Sequence, residues 1–519
     1  MSSVPRHLTL RQSVALVWRT LRSMRTALAL LFLLALGSVV GSLVPQIPNS
    51  PDRVARFQAD HPLLGRFYQH AGFFDVFGSW WFVLIMALLL VSLVACLVPR
   101  TRASIRNVRQ KPLHAREIDA FPQYAERTVR AEVPEAIATS QRVLRRRMFR
   151  VSRAEDALAA DKGALRELGS LVFHWALLLL LIGSVYGKGT GFTGKALVVE
   201  GESWTDGAAN YDGTIRAGRF FDGDFTGVGL TLHSFEATYR ANGTPMDFVS
   251  HVDLLDPGGT VARSADVRVN HPAVFGGLRF FQFGFGYAPV IEIREGDRLL
   301  YAGPVPFAHQ APPEGVPELA LPWDGIVKVP SVTPGLGIQL TLWPDSGAFL
   351  QFQQTGEPVP MLRADHPILF FTTWKGPLVD PSPRSLDTSV MQEGRKGALG
   401  EGQTCSLSTT KCWGPGEGTP EADELTISFP SIRQYSIFQV SRDRGVPIVL
   451  LAAILVLLGL LPALYTSRRK VWVRAEPNGE GTVLKVGGFA LQRKPQFEEE
   501  FTKLIAEIER ATTERIGAS

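Results

Sequence analysis

Cysteine is scarce in this chain: three in 519 residues, Cys96, Cys405 and Cys412. No Cys-X-X-Cys-His occurs, so the chain is not itself a c-type cytochrome. Cys405 and Cys412 have six residues between them, without the tight Cys-X-X-Cys turn that lowers a thiolate pKa for redox catalysis. A zinc site would need two more ligands nearby, and none is evident. A local disulfide in an oxidising compartment is expected, with two free thiols as the alternative. There is no Walker loop, no Gly-rich dinucleotide fingerprint after a strand, and no Ser/His/Asp constellation recognisable from order alone. Nucleotide-driven transport is therefore unsupported. The basic excess, 54 Lys and Arg against 49 Asp and Glu, lacks basic-aromatic interleaving, so no nucleic-acid partner is expected.

Charge is missing altogether from four long apolar runs: Ala27–Val44, Trp80–Val98, Leu168–Gly187 and Val446–Tyr465. Each is long enough for a membrane span of roughly 20 residues. Residues 1–26 hold Arg6, Arg11, Arg19, Arg22 and Arg25 and no acid. The positive-inside rule thus puts the N-terminus in the cytoplasm. The loop after the second run carries the Arg145-Arg146-Arg147 cluster, and Arg468-Arg469-Lys470 follows the fourth, so both read as cytoplasmic. A cleavable signal peptide is the competing reading of the first run, but its removal would leave three spans with the charge pattern broken. The expected order is a cytoplasmic N-terminus 1–26, a span pair with a short outer loop 27–98, a cytoplasmic loop 99–167, span 168–187, an extracytoplasmic domain 188–445, span 446–465 and a cytoplasmic tail 466–519.

The stretch 188–445 alternates short apolar-polar runs such as Val228-Gly-Leu-Thr-Leu232 with turn clusters such as Asp256-Pro-Gly-Gly259. This predicts a mainly antiparallel β domain, a sandwich or open barrel, and an α+β membrane protein as a whole. Pro381–Glu421, rich in Ser, Thr, Gly and Pro, reads as a long loop or insertion. The cytoplasmic segments predict two small packing modules: an amphipathic helix Pro134–Arg147, and a tail with strands at Val471–Val473 and Thr482–Leu484 before a helix near Phe497–Arg510.

Titratable groups are almost absent from the spans, which singles out His174 in Leu171-Val-Phe-His-Trp-Ala176. Such a side chain is costly in lipid unless it faces protein, water or a ligand. Counted from Leu168, it lies ~9 Å inside the span. Phe173 and Trp175 are its aromatic neighbours in the sequence. The alternative is a histidine hydrogen-bonded between helices as packing glue. His271, in Asn270-His-Pro272, begins a turn before an aromatic strand and reads as a structural turn residue from the sequence pattern. His233, His251, His309 and His366 default to surface or hydrogen-bonded roles.

Ser23-Met-Arg-Thr-Ala-Leu28, Gly41-Ser-Leu-Val-Pro-Gln46, Asp75-Val-Phe-Gly-Ser-Trp-Trp-Phe82 and Glu167-Leu-Gly-Ser-Leu-Val-Phe-His174 resemble the ResB family. So do Val269-Asn-His-Pro272 with Phe281-Gln282, and Gly459-Leu-Leu with Arg468-Arg-Lys-Val-Trp472. The six matches are collinear over nearly the whole chain. The resemblance implies a cytochrome c biogenesis factor of the two-component system in the bacterial cell membrane, paired with a ResC or CcsA-type membrane protein. It implies haem carried across the bilayer for attachment to apocytochrome c, with His174 as one axial ligand, for which neutral imidazole is well suited, and the partner supplying the other. On that resemblance Phe173 and Trp175 could pack on the porphyrin, and His271 could touch haem or apocytochrome, with the structural turn role the safer reading. The partner's tryptophan-rich haem-handling motif is absent, since Trp80-Trp81 precedes Phe82. No complete catalytic site stands on this chain, so haem attachment would belong to the assembled complex. A membrane-anchored scaffold or receptor whose β domain binds a ligand without haem is the other class left open.

Overall fold

The computed structural model describes residues 10–240, 244–309, 320–357, 359–415, 424–479 and 481–513. Arg6 of the basic N-terminus and residues 416–421 of the stretch read as an insertion lie outside them. The chain divides into two compact units, residues 1–185 with 445–519, and residues 186–444.

Among the described residues four helices are long and apolar enough to cross a membrane: α2 (Met24–Leu43), α5 (Trp80–Arg109), α7 (Leu165–Thr190) and α9 (Val446–Tyr465). A shorter helix, α1 (Leu10–Leu21), precedes them. The fourth apolar run coincides with its helix, whereas α5 continues eleven residues past Val98 and α7 extends three residues beyond its run at each end. Hydropathy marks where lipid would end. A helix ends only where its backbone bonds do, and α5 runs through Pro99 to Arg109, with Gln110 as its C-cap.

The segment between α2 and α5 is folded. Pro51 and Pro62 open α3 (Pro51–Asp60) and α4 (Pro62–Ala71) at the position where the missing N–H costs nothing. Gln46, 7% exposed, donates from Nε2 to the carbonyls of Val44 and Phe73 and accepts from the Val76 N–H at 3.0 Å. One side chain thereby ties the end of α2 to the start of α5.

The two stretches read as separate modules form one sheet. Its strand order is Gln123–Val129, Gly481–Ala490, Arg469–Asn478, Ala157–Lys162, Arg150–Arg153, so the tail supplies the two inner strands beside Gln123–Val129. Helices α6 (Val133–Arg146) and α10 (Lys494–Thr513) cover it, burying Ile137, Leu144, Phe497 and Phe501 against Val471 and Val486.

The second unit is antiparallel throughout its strand ladders, in sheets of eight, five and four strands. It also holds α8 (Ser346–Thr355). It is neither one sandwich nor a barrel. Two 18-residue strands, Leu278–Glu295 and Leu425–Arg442, pair along the middle of the largest sheet. One end of them buries Phe280, Phe438 and Val440 with Leu230 and Leu254 of the four-stranded sheet. The other end buries Ile291, Ile293 and Phe429 with Ile338, Leu340 and Phe371 of the five-stranded sheet. Strands this long can serve two cores because alternate residues keep one face inward on each half.

The described residues of Pro381–Glu421, read as a long loop or an insertion, include strands. Gln392–Gly400 pairs with Ile368–Lys375, and Thr404–Ser406 forms a small hairpin with Cys412–Trp413. The Ser- and Gly-rich composition is overridden by neighbouring strands that supply the ladder. Cys405 and Cys412 face each other across that hairpin in a disulfide, with Cα atoms 4.0 Å apart.

Candidate functional site

Helix α7 meets α9 through small residues. A Cβ added at Gly459 would stand 2.5 Å from the Phe173 nitrogen, one at Gly169 2.7 Å from the Gly459 carbonyl oxygen, and one at Gly183 2.9 Å from Ile448. In lipid, where apolar side chains gain little by leaving their surroundings, such close backbone approach is what holds helices together. At about 100° per residue, His174 lies roughly 140° from Gly169 and 180° from Gly183 around α7. It therefore projects away from α9.

Within its own helix His174 is already half satisfied. Its Nδ1 sits 2.6 Å from the Ser170 carbonyl oxygen, one turn back, so Nδ1 carries the proton and donates. The lone pair is then on Nε2. Orientation of an imidazole by a backbone carbonyl on the far nitrogen is the usual arrangement behind a metal-bound histidine. The residue is half-buried, and Phe173 stands edge-on to its ring at 5.4 Å. The Trp175 indole N–H donates to Thr101 Oγ1 of α5 at 3.0 Å. That bond turns the neighbouring quarter of α7 toward α5.

Below His174, where α7 begins, charged groups gather. Arg468 pairs with Glu167 and lies 3.7 Å from Asp161, which also binds Arg150 at 2.8 Å. Beside this network, Val108, Leu165, Leu168 and Tyr465 line a cleft of about 480 Å³ with Lys162 and Arg469 at its wall. Burial, together with the Arg469 and Arg147 guanidiniums, holds the Lys162 ammonium below its ordinary range. Asp161 and Arg150 share that wall as a pair and Glu500 engages Arg469, so Lys162 is the lining cation with no carboxylate partner among the described residues, at the edge of an apolar wall that suits an amphiphile bearing carboxylates.

His271 belongs to the other unit. It is exposed, follows Asn270 in a left-handed conformation (φ 64°), and places Nδ1 3.2 Å from the Val269 carbonyl. The bridge between Arg268 and His271 closes this turn. Among the described residues no group of three or more His, Cys, Asp or Glu is gathered as a metal site. Ser170, Thr101 and Lys162 were not singled out from sequence. The signals were faint: any residue four before a helical histidine offers its carbonyl, whereas Thr101 and Lys162 reach the site only through tertiary packing.

A cytochrome c biogenesis protein CcsB from a Picosynechococcus species is 22% identical over 504 residues, which covers 95% of this chain and 92% of that protein. CcsB of Prochlorococcus marinus is 24% identical over 502 residues, covering 95% and 97%. CcsB of Trichormus variabilis is 26% identical over 277 residues, covering 52% and 58%. The ResB-like family model matches residues 24–502, from the first residue of α2 into α10, taking in all four apolar helices and both compact units. The chain belongs to the ResB-like family.

Proposed function

We propose that this protein is a membrane subunit of cytochrome c biogenesis that receives haem as cargo at His174. A ResC or CcsA-type partner supplies the opposite axial ligand, and the pair delivers haem to apocytochrome c. The observation that carries the reading is the His174 geometry: Nδ1 is committed to Ser170, Nε2 is left as the ligand atom, and the ring projects away from α9. Phe173 and Trp175 flank the porphyrin, while Lys162 in the cleft beneath attracts its carboxylates as it enters. His271 serves the turn rather than the iron.

The orientation follows the basic flanks, with both termini and residues 99–167 in the cytoplasm and residues 188–445 outside. The shared sheet of residues 123–162 and 469–490 supports it, because the start of α7 and the end of α9 must then lie on one side. The family names of the full-length relatives support the biosynthetic role.

Co-expression with a ResC-type partner, purification of the complex and its visible spectrum test the assignment. Bis-histidine haem is expected in the wild type and at least about tenfold less in His174→Ala, one strong iron ligand having been removed. Unchanged haem in the variant would overturn the ligand assignment. A complex that holds no haem at all would favour the scaffold or receptor reading.

A further inference from the structure

Helix α1 is fastened to α5 at the level where the apolar run gives way to its basic extension. Ser92, 0% exposed, donates to the Leu21 carbonyl at 2.7 Å, and the Cys96 thiol donates to the Arg22 carbonyl at 2.9 Å. These bonds satisfy carbonyls that a helix end leaves orphaned, and they fix where Arg22 stands. Beside the junction α1 and α5 enclose a groove of about 500 Å³. Val94, Ala95, Val98 and Pro99 make its floor, Arg22, Arg102 and Arg106 its mouth, and Trp18, 52% exposed, stands at the rim.

Three features define what fits. Three arginines from two segments line the one groove, Arg102 and Arg106 sharing one face of α5. No Asp or Glu occurs between Met1 and Pro51 or between Val76 and Arg116. Among the described residues no carboxylate pairs with any of the three. From Val94 to Arg106 the groove runs ~18 Å along the helix, apolar at one end and cationic at the other. A free anion would use only the mouth. A zwitterionic lipid would bring its own cation there. Arginine forks match phosphate oxygens, and an indole at the rim is at home where headgroup meets acyl chain.

We propose that this groove binds one anionic phospholipid, with its phosphate held by Arg22, Arg102 and Arg106 and an acyl chain laid along Val94 and Val98. The site lies on the α1 side of α5 and is separate from the haem-ligand position on α7. It makes anionic lipid a structural partner of the α1–α5 pair.

Full-length protein, reconstituted in phosphatidylcholine vesicles with or without phosphatidylglycerol, tests this when the lipid retained after extraction is counted by native mass spectrometry. One phosphatidylglycerol is expected to be retained in preference to phosphatidylcholine. Arg102→Gln/Arg106→Gln is expected to weaken retention roughly 25-fold, at about fivefold per arginine. Arg100→Gln/Lys111→Gln removes the same charge outside the groove and is expected to retain it. Equal loss in that control, or equal retention of phosphatidylcholine, would overturn the proposal in favour of diffuse attraction. Displacement by soluble glycerol phosphate at equal concentration would overturn it in favour of a phosphate site. Lipid release on binding of the partner membrane subunit would show instead that the groove is a protein interface.

Discussion

His174 and His309 are both half-buried imidazoles, and their ring nitrogens are used differently. The first donates one proton to Ser170. Neither nitrogen of the second meets a partner among the described residues, and its ring lies 3.5 Å from the Trp323 centroid. Sequence placed His309 among surface or hydrogen-bonded histidines. The error has a physical source: the contact depends on the register that sets His309 opposite Trp323, which no local pattern reveals. Burial without a partner lowers its pKa from 6.5 to about 4. The unfolded chain then takes up a proton near pH 6.5 that the folded chain refuses until about pH 4. Stability contributed by the neutral ring is present above that window and is lost as pH falls through it, to the extent of ~1–2 kcal/mol after allowance for residual solvent contact. Denaturant unfolding of wild type and His309→Gln at about pH 7 and about pH 4.5 measures this, the variant showing the smaller acid loss. The Asp253 and Asp266 carboxylates, held below their usual range by their hydrogen-bond partners, are present in both proteins and cancel in the difference. An equal acid loss in the two would remove His309 as the cause.

At the scale of the element, the helices that matter most were the easiest to foresee. Charge-free runs announce α2, α5, α7 and α9 because lipid imposes one pattern on whatever crosses it. What could not be foreseen is which faces meet, since helix contact in lipid rests on what is missing from a residue. Gly169 and Gly459 stood inside sequence motifs with no assigned role, and only their mutual approach explains them. Gly459→Ala decides the point because two effects oppose each other. Alanine gains about 1 kcal/mol in helix propensity. A methyl group 2.5 Å from the Phe173 nitrogen forces the helices apart, costing typically ~1–3 kcal/mol and shifting the turn that carries His174. The expected outcome is a lower thermal midpoint in detergent and reduced haem in the partner complex. Leu458→Ala, at a position 57% exposed, is the control expected to leave both unchanged. Equal behaviour of the two variants would mean the helices do not touch at Gly459.

For the molecule as a whole, chain order hides the most important association. The strands at Val471–Val473 and Thr482–Leu484 and the two flanking helices were legible one by one from their periodicity. Their joining into one sheet with residues 123–162 was not, because more than 300 residues of helix and β unit intervene and no local signal spans them. The consequence is mutual dependence. Eleven of the twenty buried residues in that core come from the C-terminal tail. At roughly 1–2 kcal/mol for each buried apolar side chain, their loss exceeds the 5–15 kcal/mol that holds a typical domain folded. A chain stopped after Ser467 keeps all four apolar helices and the whole of the second unit, yet residues 123–162 are expected to unfold. Strand Ala157–Lys162 would lose the partner on one side, and Gln123–Val129 the one neighbour it has among the described residues. Limited proteolysis of the truncated protein, followed by mass spectrometry of the fragments, reads this directly. New cleavage within residues 123–162 is expected while the fragment from the second unit persists. A protease-resistant 123–162 segment would show that the loop folds without the tail and would break the argument that ties the start of α7 to the end of α9.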